Sequence, residues 1–232
     1  LTVPHIKAYF GLLTFLLLLQ DTSVLSGFKK IFYRFLIIFS GLSSIYASVF
    51  APIFFLKFLF KKNKDNFLNF LSSLLPLVVN IFIFFNFSNN TDRFAFDAGK
   101  IESFSYNILI RPFFGSSIPK LLYTKLSIDN LESMSIAIFL IIVLLITFVY
   151  QILRKKDKIT ILIISSFVLH SAFVLIGSLY PNFVGGRYSV IPGIILLSLF
   201  IRFYQLENDN FLKYLPGSLI LISLSVGILE FK

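Results

Sequence analysis

The residues whose types could do chemistry fall in two polar stretches. The first, "NNTDRFAFDAGK" (89–100), sets Asp92 and Asp97 beside Arg93 and Lys100. A carboxylate among them would serve as a general base, and Arg93 or Lys100 would grip an anion. The plainer reading is a solvated loop, because no spacing between these groups is diagnostic. The second, "SLYPNFVGGRYSVIPG" (178–193), places Tyr180, Arg187 and Tyr188 around two glycines. A guanidinium binds phosphate through paired N–H groups, and residues without side chains let backbone and guanidinium approach a ligand together. The two tyrosines could stack on a sugar ring or donate a hydrogen bond. Against this stands the ordinary alternative that Arg and Tyr anchor a helix at an interface and Gly-Gly is a turn.

The elements that must position these residues follow from composition. The chain has 232 residues, 57% hydrophobic and 14% charged, with mean hydropathy +0.88. A soluble domain averages about a quarter charged, so the chain is expected to be a single integral membrane domain over 1–232. There is no cysteine, which excludes disulfides, thiolate metal sites and a thiol nucleophile; no metal or other cofactor is expected. The net charge is +10, but the cations cluster in short loops beside apolar runs. That pattern is topology, not nucleic-acid binding. The 31 phenylalanines and absent tryptophan are read as the codon bias of an AT-rich genome. The chain begins at Leu1 and its only methionine is Met134, which suggests an internal fragment or a non-ATG start.

A spanning helix needs about 20 mostly apolar residues. The expected runs are 8–25, 31–60, 67–87, 134–153, 159–179, 188–204 and 214–231. The first lacks a basic leader and a small-residue cleavage site, so it is expected to be a span and not a signal peptide. The run 31–60 is too long for one span and basic at both ends: Lys29, Lys30 and Arg34 on one side, Lys57, Lys61, Lys62 and Lys64 on the other. Positive charge favours the cytoplasmic side, so two short helices joined near "GLSS" fit better than one kinked span. The expected fold class is an all-α polytopic transmembrane bundle with about 7–8 membrane segments, one of them this hairpin.

The basic loops at 61–64 and 154–158 then share the inner side, and 88–133 and "YPNFVGGR" share the outer side. Arg187 lies outside against the charge trend, which favours a ligand role over an anchor. The segment 88–133 is expected to be an external polar loop, with 107–126 lying along the interface. His170, within a span, is a functional candidate by depth, though a neutral histidine bonded to a neighbouring helix is the commoner case. Gln20 and Asp21 fit either a helix contact or a site. Pro52, Pro76, Pro192 and Pro216 are expected at kinks. "NFS" at 86 and "NNT" at 89 match the glycosylation sequon.

"FSGLSSIYASVFAPIFFLKFLFKKNK" (39–64) resembles the short helical hairpin of GT-C polytopic glycosyltransferases, and "GGRYSVIPGIILL" (185–197) resembles a late external element of bacterial envelope-polysaccharide proteins. The resemblance implies a bacterial inner-membrane protein that uses a lipid-phosphate-linked sugar donor on the external face, in cell-envelope glycan synthesis. It implies Arg187 and Tyr188 as contacts to the donor phosphate or sugar. The family's acidic residue sits in a first external loop that this chain does not show. A lipid-linked glycan transporter, flippase or polymerase component, and a non-catalytic membrane subunit, are the alternatives.

Overall fold

The computed structural model describes residues 3–87, 100–101, 104–115, 130–177, 190–208 and 210–230. Among them the chain is all-helical, with no strand. Two helices, Lys64–Asn86 and Lys158–Leu175, are long and apolar enough to cross a membrane; the other apolar helices, such as Ile6–Leu19 and Val190–Leu206, are shorter. The chain divides into two compact units. One comprises Leu1–Thr91 with Val168–His170, the other Asp92–Phe167 with Ser171–Lys232.

In the first unit, α1 (Val3–Leu19) leads through a short 3-10 turn (Thr22–Val24) to α2 (Gly27–Ser43). Then come α3 (Ile45–Ser48), α4 (Ala51–Phe60) and α5 (Lys64–Phe87). Asp21 starts the 3-10 turn by accepting from the Ser23 N–H at 2.9 Å and the Ser23 hydroxyl at 2.8 Å. These bonds, led by the backbone N–H and joined by Lys61 at 3.2 Å, hold its carboxyl down at about 2. Asp21 is therefore a cap, and the Gln20 carbonyl is a helix-end acceptor for Lys57 at 2.5 Å.

The run 31–60 folds back. Ser44 breaks it with extended backbone, φ −153° and ψ 126°, and its hydroxyl donates to the Lys7 carbonyl, near the start of α1, at 2.9 Å. At the other end, Lys57 donates to the Leu18 carbonyl at 2.6 Å, satisfying the last turn of α1. Close by, α2 and α5 meet where Lys30 and Arg34 reach Asp65 at 2.6 and 2.8 Å. Arg34 also reaches Asn69 at 3.3 Å, and Asn69 donates to Thr22 at 3.1 Å. The ends of the run thus lie together, as its two basic flanks suggested.

Pro52 opens α4, and Pro192 lies in the first turn of the helix Val190–Leu206. A missing N–H costs nothing at a helix start, and Pro52 sits just after the interruption between α3 and α4. Pro76 and Pro216 do lie inside helices. At Pro76, α5 crosses α2 closely: a Cβ on Gly41 would stand 2.6 Å from Pro76 Cβ. Asn80 bridges the crossing, donating to the Gly41 carbonyl at 3.0 Å and the Pro76 carbonyl at 2.9 Å. His170, grouped with this unit, is fully buried, its ring 5.7 Å from Tyr46 and 5.3 Å from Phe50; it packs in the interior.

The second unit holds a π-helical turn (Ser105–Ile110) running into α6 (Arg111–Phe114). It continues with α7 (Asn130–Lys155), α8 (Lys158–Gly177), α9 (Val190–Leu206) and α10 (Asn210–Glu230). Between α7 and α8, Asp157 caps α8 by accepting from the Thr160 N–H at 3.0 Å and hydroxyl at 2.8 Å, and it pairs with Arg202 of α9 at 3.0 Å.

The Gly41–Pro76 crossing yields a stability prediction. Gly41→Ala should overpack it and cost about 1–3 kcal/mol, read as a lower unfolding midpoint of the detergent-solubilised protein. An unchanged midpoint would mean that the crossing is slack.

Candidate functional site

One group of buried polar residues in the second unit lies close together in sequence. Lys100 is 3% exposed, and Ser105, Tyr106, Asn107 and Ile108 are buried with it. The turn Ser105–Ile110 lies against α7 and α9, and α6 lies against α9 and α10. Its register is fixed by two close approaches. The Ser223 hydroxyl of α10 donates to the Pro112 carbonyl at 2.5 Å. A Cβ on Gly193 of α9 would stand 2.9 Å from Pro112 Cγ, so glycine is what admits the proline ring. Phe113 meets Phe200 edge to face at 5.1 Å. The segment ends where the Gly115 N–H returns to the Arg111 carbonyl at 2.9 Å, with Gly115 at φ 66°, a conformation suited to glycine.

Pro112 therefore lies along α9 and α10 well away from their basic end. Gly193 is thirteen residues before Leu206 and Ser223 ten after Lys213, which at 1.5 Å per residue puts Pro112 about 15–20 Å from the basic end of α9 and α10. The stretch expected along an interface, 107–126, is described as far as Gly115 and is buried to that point, apart from partly exposed side chains at Ile110, Arg111, Pro112 and Phe114. A π-type turn is a rare local form that often marks functional positions. Burying its backbone with a lysine beside it is costly unless the groups are satisfied.

Of the residues named in the two polar stretches, Lys100 alone is described, and it is buried. Asp92, Arg93, Asp97, Tyr180, Arg187 and Tyr188 lie outside the described residues. Tyr106 and Asn107 were not picked out in the sequence as site residues. The available signal was "SYNILIRPFFG" (105–115), where an Arg-Pro and a glycine interrupt an apolar run.

A second polar constellation occupies the basic end of the same unit. Arg154 grips Glu207 through both terminal nitrogens, at 2.7 and 3.1 Å. Beside it opens a groove of about 310 Å³ between α7, α9 and α10, floored by Phe200, Phe203 and Pro216. Among the described residues no group of His, Cys, Asp and Glu is arranged to hold a metal ion. No family model, curated protein or solved structure matches the chain.

At the same end, burial pushes the Asp157 carboxyl up, but the bonds from Arg202 and Thr160 outweigh it and hold the group below the usual carboxylate range. A carboxyl depressed by folding contributes stability above its unfolded value, and loses it as the pH falls through the folded one. Asp157→Asn should therefore lower the unfolding midpoint at neutral pH and flatten its decline into acid. An acid limb unchanged by the substitution would assign that limb to other groups. Glu207→Ala, which removes a buried carboxylate from a partly exposed guanidinium, should cost about 1 kcal/mol, measured by the same unfolding assay.

Proposed function

We propose that the chain is a multi-pass membrane protein with about seven or eight membrane segments, whose second unit handles an anionic lipid-linked sugar from the outer side. The reaction class is glycosyl transfer of the GT-C type. The observation that carries this reading is the stretch 104–109, buried against the apolar helices α7 and α9, with Lys100 close in sequence at 3% exposure. Backbone that leaves the regular helix at membrane depth is tolerated where it is covered by protein or lines a cavity. An intramembrane ammonium marks a substrate path by default.

In this scheme Asp92 or Asp97 removes the acceptor hydroxyl proton and the oxygen attacks the sugar's anomeric carbon. The bond from that carbon to the lipid phosphate oxygen breaks. Arg187 holds the phosphate as its charge grows, with Arg93 and Lys100 as further cations and Tyr180 and Tyr188 against the sugar. Hydrophobic grooves between helices take the lipid tail. The exposed apolar side chains of α5 and α7, such as Phe82 at 63% and Ile146 at 64%, suit contact with lipid.

Arg187→Ala and Lys100→Met should each abolish or sharply reduce transfer from a polyprenyl-phosphate sugar in proteoliposomes, with membrane insertion intact. Donor that crosses the bilayer with no glycosidic bond formed would favour a flippase instead. Normal activity in both variants would remove these cations from the site. Topology has a separate check, because the chain has no cysteine of its own. Lys62→Cys and Lys158→Cys should be labelled from the cytoplasmic side, and Asn90→Cys and Asn182→Cys from the opposite side. Labelling of all four from one side would overturn the multi-pass arrangement.

A further inference from the structure

The groove at the basic end of the second unit is polar at one end and apolar along the rest. Thr147, Gln151, Arg154 and Glu207 contribute the polar atoms, while Ile146, Phe200, Phe203 and Leu215 form the walls. Its volume of about 310 Å³ sits at the lower bound of small-ligand sites, roughly 300–1,000 Å³. The surface around it is apolar and open: Ile146 is 64% exposed, Tyr150 51% and Leu215 67%.

The charge at its mouth is not balanced. In the Arg154–Glu207 pair the arginine side chain is 34% exposed and the carboxylate 4%, so the charge turned outward is the cation. Asp157 is already engaged by Arg202. The sequence adds Lys155, Lys156 and Lys158 after Arg154 and Lys213 before the Leu215 wall, against one further acid, Asp209, so the balance stays positive. An apolar slot ending in net positive charge complements one chemistry, a hydrocarbon chain carrying an anionic head.

We propose that this groove binds an anionic phospholipid of the surrounding bilayer, with one acyl chain along Phe200, Phe203 and Leu215 and the phosphate beside Arg154. The site is separate from the one proposed for the lipid-linked sugar, but it rests on the same reading that the chain is membrane-embedded. Basic pockets between helices on the cytoplasmic side suit anionic head groups. The bound lipid would cover the apolar slot and tie α7 to α10, which the groove separates.

The absence of tryptophan makes the test direct. Tyr150→Trp reports from the groove wall. Val149→Trp, one residue away and 55% exposed, reports from another face of α7 at the same depth. Each full-length variant is reconstituted in vesicles containing brominated phosphatidylglycerol or brominated phosphatidylcholine, and fluorescence quenching is compared. One effective cation at the membrane surface corresponds to about a fivefold preference. Tyr150→Trp should show a preference of that order for the phosphatidylglycerol, and Val149→Trp a ratio near one. Adding Thr147→Phe, which fills the slot at a residue whose hydroxyl donates to the Val143 carbonyl of its own helix, should remove the preference. Equal quenching at Tyr150→Trp by the two lipids overturns the proposal. So does an equal preference at both positions, which would be general enrichment, or one that survives Thr147→Phe. If neither lipid quenches either tryptophan, the chain is not in the bilayer, and it is the membrane reading that fails.

Discussion

Asp65 closes the first unit. It is the acceptor for both Lys30 and Arg34, so the cations that open α2 are fastened to the first turn of α5. With Lys57 on the last carbonyls of α1, this makes one polar layer at one end of the unit. Without that layer the apolar run 31–60 would have no reason to return to the end it started from. Partly desolvated ion pairs are poor sources of net stability but good determinants of arrangement. Here they fix which helix ends are neighbours, and apolar packing around Phe15, Ile37, Phe50 and Phe54 follows from that.

At the far end of the hairpin the constraint is steric. Gly41 admits Pro76, and Asn80 donates across to the Gly41 carbonyl. α5 runs on past this crossing to Phe87, with Phe82 and Phe85 exposed. The hairpin is therefore shorter than the helix it leans on, as a re-entrant element would be.

The second unit repeats the logic with different chemistry. At its basic end, Arg154–Glu207 and Asp157–Arg202 link α9 to the α7–α8 turn. Deeper in, the segment 104–115 is admitted by a glycine in α9 and held by a serine of α10. Small residues where backbones approach and hydroxyls as interhelical donors are the common means of association where every surface is apolar. The turn buries Tyr106 and Asn107, and Lys100 is buried a few residues before it.

The sequence by itself determined the all-helical class, because sustained apolar runs with little charge leave the backbone only helices in which to satisfy itself. It also determined the fold-back of 31–60, since clusters of like charge at both ends oppose a single crossing. The helix start at Pro52 was less legible, because a proline reads the same as a kink or a start until the helix boundary is known. The role of Asp21 as a cap depended on Ser23 and Lys61 arriving together. Only tertiary structure decided that 104–115 is interior. Its tyrosine and asparagine read as part of a surface segment, and they are buried in a segment whose Pro112 is admitted by Gly193 and bonded by Ser223, residues far along the chain. Burial of a polar segment depends on partners that local periodicity does not encode.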